Sequence, residues 1–210
     1  NRIINTGLSR KSLNNMTQGN RKKYNINNQI GIMDPNGNKE NPLTGEPYVD
    51  LETYKKLSNG TSEKPSSGWK HWPVYEKRDE ILKCIKANNV TIAKSGTGSG
   101  KTVLLPKLMM HALGYSKPVV CTVPKQILAE EHSVFAAACL GVNVGEHVGY
   151  YFKGKKKLNE NGVQTQLIFT TIGSLKSRLT GNNADLSDYG AIIVDEAHER
   201  SVATDFTFLL

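Results

Sequence analysis

The chain has 210 residues, 38% of them hydrophobic, with a formal net charge of +8 and a pI near 9.3, enough for one sizeable core plus a tail. No apolar run approaches the roughly 20 residues of a membrane span, no signal peptide is visible, and Cys84, Cys121 and Cys139 form neither a CxxC pattern nor a disulfide framework. The expectation is an intracellular protein of cytoplasm or nucleus with reduced thiols, whose basic balance either favours a polyanionic partner or is that of an ordinary basic soluble protein.

Residues 1–68 hold a dozen Asn and few large apolar side chains. Such a composition cannot offset the entropy of ordering, which predicts a flexible N-terminal leader. Within it, Arg21-Lys22-Lys23 is a solvated run, a nucleic-acid contact or a nuclear import signal. A short lead-in is expected over 41–57, a turn at NPLTGEPY and then a helix over 49–57, before the linker TSEKPSSG at 61–68. From Trp69 the texture changes, and 69–210 is expected to form one domain. A helix is predicted over 75–87, a strand over 90–93, then a Gly-rich turn and a helix over 101–113 that Pro106 is expected to kink. A strand over 119–122, a helix over 124–138, a strand end at 148–151, a strand over 166–170 and a helix over 173–179 follow. The wholly apolar run 191–194 is the last strand, and a final helix starts near Ser201. Continuous apolar strands alternating with helices predict the α/β class, a mostly parallel sheet covered by helices on both faces.

Three smaller features read two ways. KGKKK at 153–157 is a loop between sheet elements, either solvated or set against a phosphate backbone. Trp69 and Trp72 stack on bases or anchor the linker. His71, His111, His132 and His147 lack metal-ligand spacing and read as surface or packing residues.

Two motifs carry chemistry. Ser95-Gly96-Thr97-Gly98-Ser99-Gly100-Lys101-Thr102 lies between a predicted strand and a predicted helix, the context of a phosphate-binding P-loop. Glycines allow successive N–H groups to point inward, and the helix start adds its positive end. Gly96, Thr97, Gly98, Ser99 and Gly100 would cradle the phosphates of ATP or another NTP, with Lys101 reaching the β- and γ-phosphates and Thr102 binding Mg²⁺. Ser95 stands where such loops usually have their first Gly. The second motif is Asp195-Glu196-Ala197-His198, directly after the apolar strand. A parallel strand delivers these carboxylates to the sheet's C-terminal edge, where open α/β sheets bind ligands. There Asp195 would hold Mg²⁺, usually through water, and Glu196 would orient and deprotonate the attacking water. An acidic helix start would explain the pair alone, but D-E-A-H arises by chance in only about one chain in a thousand of this size.

Around these motifs the sequence resembles the DEAH/RHA group (DEAH-box) of superfamily-two RNA helicases. DEAHERSVATD (195–205), GEHVGY (145–150), TVPK (122–125), FTTIG (169–173), NPLTG (41–45) and WPVY (72–75) are similar to its segments. The resemblance covers about 41–210 and is densest from 90 on. It implies a first RecA-like P-loop NTPase domain, ATP between it and a second RecA-like domain, and RNA across the top. By resemblance, Lys101, Thr102, Asp195 and Glu196 serve ATP–Mg²⁺ and hydrolysis, and His198 couples the nucleotide state to strand separation. Lys125 and Thr171 match positions that touch the RNA backbone. Gln126 stands where a second arginine is usual, Ile172 where Asp is common, and Phe135 where an arginine stacks on the base. Phe135 stacks or packs into the core, and the apolar run 134–138 favours the core.

The chain starts at Asn1 and ends on Leu209-Leu210 inside an apolar pattern, so both ends are expected to be cuts. The implied activity is ATP-driven RNA translocation and unwinding, with the 210 residues alone weakly active or inactive. The implied partners are RNA, the second RecA-like domain and protein adaptors, with no membrane. Two alternatives stay open: a nucleotide- and RNA-binding scaffold without unwinding, and a DNA-directed helicase.

Overall fold

A computed structural model describes residues 73–140, 142–160, 164–181 and 186–208. The leader, the lead-in at 41–57, the linker, Trp69, His71 and Trp72 lie outside them. Helices α1 (Pro73–Glu76), α2 (Arg78–Ala87) and α3 (Lys101–Ala112) come first, followed by strand β1 (Val119–Val123) and α4 (Gln126–Leu140). Strands β2 (Val148–Phe152), β3 (Lys155–Lys157) and β4 (Leu167–Thr171), helix α5 (Ile172–Leu179), strand β5 (Ala191–Val194) and helix α6 (Val202–Thr207) complete the described chain.

The strands form one sheet in the order β3-β2-β4-β1-β5. All neighbours pair in parallel except β3, which returns antiparallel along β2. β1 is buried throughout, and the first four residues of β4 are too. That is why these segments are apolar without alternation: each side of the pleat meets a helix layer. Val119, Cys121 and Val123 face one layer with Leu104, Leu108 and Met110 of α3 and Ala129, Ala136 and Leu140 of α4. Val120, Ile168 and Ile192 face the other, with Leu175 of α5 and Tyr189. The sheet is therefore covered on both faces, as the pattern predicts.

Several expectations are corrected. The helix expected over 75–87 is two, α1 and α2, interrupted at Lys77. The run 90–93 is not a strand of the sheet. Only Thr91 forms an isolated bridge, and Val90 and Ile92 are exposed. Apolar character signals burial but names no ladder partner. α3 runs unbroken through Pro106, which is buried within it. The lysines at 155–157 are not loop but the exposed edge strand β3, behind a turn in which Gly154 has φ +85°. Phe135 is 45% exposed beside exposed Val134, whereas Ala136 and Ala137 are buried. α4 shows only one stripe to the sheet, so an apolar run along it cannot all be core.

Gly149 shows how tightly the edge is built. A Cβ there would strike the Lys157 carbonyl and the Leu158 side chain, so β2 and β3 approach closely because Gly149 has none. Gly149→Ala is expected to destabilise the fold by about 1–3 kcal/mol, read from the urea midpoint.

Candidate active site

The phosphate loop is tied together by its own polar atoms. Gly98 and Gly100 have φ of +74° and +87°, values that a Cβ would disfavour. The Ser95 and Ser99 hydroxyls are 2.6 Å apart, so the serine in place of a first glycine has a defined partner. The Val74 N–H donates to the Ser99 carbonyl at 3.2 Å, fastening α1 under the loop. Lys101 Nζ donates to the carbonyls of Ser95 (2.8 Å) and Gly96 (2.9 Å). Gly100 precedes α3 and supplies no side-chain cap, so the first N–H groups of the helix are not taken by a capping side chain. Their partial positive charge suits an anion.

Asp195 follows β5. Its N–H donates to the Thr122 carbonyl at 3.2 Å, which continues the parallel pairing of β1 with β5. Its carboxylate meets the loop: Thr102 Oγ1 donates to Asp195 Oδ2 at 2.5 Å across 93 residues of sequence. Asp195 Oδ1 accepts from the Glu196 N–H at 2.9 Å. Lys101, Thr102, Asp195 and Glu196 thus share one corner of the sheet's C-terminal edge.

Beyond Asp195 the chain makes one 3₁₀ turn, Ala197–Glu199, flanked by Glu196 at φ +50° and Arg200 at φ +49°. His198 Nδ1 lies 3.2 Å from Glu196 Oε2. Arg200 forks onto Asp205, with Nε to Oδ1 at 2.8 Å and Nη2 to Oδ2 at 3.1 Å. The Ser201 hydroxyl caps α6 by accepting from the Thr204 N–H at 3.1 Å.

The fit of this corner to Mg²⁺ can be judged from its donors. Thr102 and Asp195 offer oxygen only, as a hard cation requires. Among the described residues no three His, Cys, Asp or Glu converge as a complete ligand set. Mg²⁺ keeps several waters and takes phosphate oxygens, so two protein donors suffice.

Two neighbours of Asp195 were not singled out as site residues. The buried Cys121 thiol on β1 is pushed well up, first by burial and then by the Asp195 charge, which keeps it neutral. His132 on α4, read from sequence as a surface or packing residue, packs against Phe169 with ring centroids 6.0 Å apart. Burial lowers its pKa, partly opposed by Asp195 and Glu131. Neither lies within a motif, and only the fold brings them near the carboxylate.

The positions expected to touch nucleic acid lie along the same edge. Lys125 follows the end of β1 and is exposed. Thr171 ends β4 and caps α5: its hydroxyl accepts from the Ser174 N–H at 3.4 Å and donates to Ser174 Oγ at 2.9 Å. The strand order sets Thr171, Lys125 and Asp195 in a row, with the Lys153-Gly154 turn beyond Thr171 at the end of β2. β3 is pinned to α4, because Lys155 Nζ contacts both Glu130 oxygens (2.8 and 2.7 Å) and Tyr150 donates to the same carboxylate at 3.1 Å.

Comparison with known proteins identifies the family. The model of the DEAD/DEAH box helicase family matches residues 75–207. The chain belongs to that family. It is 37% identical over 181 residues to a putative ATP-dependent RNA helicase of Acanthamoeba polyphaga mimivirus, covering 86% of this chain and 24% of the relative. It is 38% identical over 136 residues to the ATP-dependent RNA helicase HrpA of Borreliella burgdorferi, covering 64% and 16%. With a probable ATP-dependent RNA helicase of Saccharomyces cerevisiae it shares 33% identity over 177 residues, covering 83% and 22%. The chain therefore spans about a quarter or less of the length of these relatives.

The Arg200–Asp205 fork has a pH signature. The hydrogen bond from Arg200 holds the Asp205 carboxyl below its ordinary range. A carboxyl depressed in the folded state adds stability that is present above its unfolded value, near 4, and lost as pH falls through the folded value. In Arg200→Gln, carbon NMR titration is expected to show Asp205 back in the ordinary carboxylate range, with the acid limb of the stability curve flattened.

Proposed function

We propose that this chain is the first motor domain of an ATP-dependent RNA helicase, holding ATP–Mg²⁺ at its phosphate loop for hydrolysis coupled to movement along RNA. The observation that carries this is the hydrogen bond from Thr102 to Asp195. It joins the loop that would cradle the phosphates to the strand end that would hold the metal. Gly96, Thr97, Gly98, Ser99 and Gly100 line the phosphates, and Lys101 turns from the loop carbonyls to the β- and γ-phosphates. Thr102 and Asp195 would hold Mg²⁺, which would supply charge neutralisation for the phosphate oxygens. Glu196 orients the attacking water and takes its proton. His198, hydrogen-bonding distance from Glu196, relays the nucleotide state toward the RNA side.

The RNA assignment draws on the names of the relatives and on the net charge of +8. Lys125 contacts phosphate at the edge of the sheet. Thr171 contributes as the cap of α5, whose N-terminus faces the same edge. The second RecA-like domain is the proposed partner across the nucleotide. Among the described residues Arg78, Arg178 and Arg200 are engaged by Tyr75, by Tyr151 and Tyr189, and by Asp205. Each thus has a partner on this chain, whereas an arginine finger reaches the γ-phosphate with its guanidinium uncommitted. This favours slow turnover by the 210 residues alone, and it is the observation behind a scaffold reading in which binding occurs without unwinding.

Titration with a fluorescent ATP analogue and Mg²⁺ tests the site. Lys101→Ala is expected to weaken binding at least about tenfold, since charge-assisted hydrogen bonds contribute roughly 1.5–3 kcal/mol each. Glu196→Gln is expected to bind normally while hydrolysis falls by about 10²-fold or more. Unchanged affinity in Lys101→Ala would refute the site. For RNA, Lys125→Ala is expected to weaken binding evenly across sequences and lower the salt slope by about one.

A further inference from the structure

The loop after Asp195 holds two residues in the left-handed region that carry a Cβ, Glu196 and Arg200. Such conformations persist only where the surroundings over-determine them. The 3₁₀ turn between them has no buried residue, so no core packing sets its course. It is held by polar pins at its two ends. On the entry side Asp195 is bonded to Thr122 and Thr102, and its Oδ1 takes the Glu196 N–H. On the exit side stands the Arg200–Asp205 fork, beside the Ser201 cap. Asp205 is itself fixed, because α6 is seated by buried Thr204 and Thr207 and by Phe206 beneath Lys176, 4.6 Å from ring centroid to Nζ. Between the pins run the Glu199 N–H to Glu196 carbonyl bond at 2.9 Å and the His198–Glu196 contact.

We propose that Arg200 and Asp205 are positioning residues for Glu196, their two-pronged contact fixing the backbone course that places the Glu196 carboxylate. This rests on the hydrolytic role proposed above for Glu196. Both side chains are largely exposed, at 73% and 42%, and exposed ion pairs add little stability. What a bidentate guanidinium–carboxylate pair adds is direction. Its loss therefore moves the geometry of the loop more than the stability of the fold.

The test measures, on the 210-residue chain, the affinities for Mg²⁺·ADP and for Mg²⁺·ADP with aluminium fluoride, which imitates the transferring phosphoryl group, together with Tm. Asp205→Asn and Arg200→Lys are expected to weaken the aluminium fluoride complex about tenfold, the order expected when a reacting group is misplaced by a fraction of an ångström. Mg²⁺·ADP affinity should stay within about twofold of the original. The exchanged pair Arg200→Asp with Asp205→Arg should recover part of the loss, and Glu196→Gln should lose the aluminium fluoride gain altogether. If the unmodified chain shows the gain and Glu196→Gln keeps it, the hydrolytic role fails; if the unmodified chain shows no gain, the fork does not by itself place Glu196 for the reaction and the positioning role is overturned. If Glu196→Gln loses it while Asp205→Asn and Arg200→Lys keep it, the positioning role alone is overturned. Joint loss of Mg²⁺·ADP affinity and Tm in Asp205→Asn also overturns it, since the fork would then hold the fold and not the carboxylate.

Discussion

The candidate site depends on a parallel register. Because β1 pairs with β5 residue for residue, from Val119 with Ala191 to Thr122 with Val194, both strands end at the same height. The turn after β5 is then anchored to Thr122 and delivers Asp195 beside Thr102. A slip of one residue would turn the alternating side chains of β5 to the opposite layers. It would also carry the carboxylate about 3.3 Å along the strand, beyond reach of the threonine hydroxyl. Ala191 and Ile192, packed into opposite layers, hold that register by burial.

Much of this was legible in the sequence because burial on both faces leaves a simple trace. β1, β4 and β5 are largely apolar runs without alternation, with Thr122, Thr170 and Thr171 as the polar members, and each lies within about a residue of its expected place. The Gly-rich loop and the carboxylates were legible for another reason: their chemistry needs particular residue types at adjacent positions, so the pattern is local. The edge strand β3 was not legible, since three lysines have no β-forming character and pair only because Gly149 lets the backbone approach. The run 90–93 misled in the opposite sense, being apolar enough for a strand but without a neighbour in the sheet. Phe135 misled because a run of apolar letters hides the 100° step of a helix, which turns Ala136 and Ala137 inward and Val134 and Phe135 outward.

Contacts that join distant letters were legible only in part. The Arg200–Asp205 fork falls inside the segment that resembles the helicase family, yet nothing in the letters says that the two side chains meet. Burial of Cys121 beneath Asp195 and the approach of His132 likewise depend on β1 and α4 being folded against β5. Thr171 illustrates the same limit at short range. Its hydroxyl closes a helix cap with Ser174, so one residue can orient α5 while standing at the edge where nucleic acid is proposed to lie.

The two rims of the sheet are unlike. At one, β3 presents Lys155, Lys156 and Lys157 to solvent, a row of like charges that repels a further strand. At the other, β5 has a neighbour on one side only among the described residues, and its four residues carry no charge. Lateral growth of the sheet is thus polarised: barred beyond the lysines and permitted next to Asp195. A strand laid beside β5 would run next to Asp195 and so wall one side of the proposed nucleotide corner.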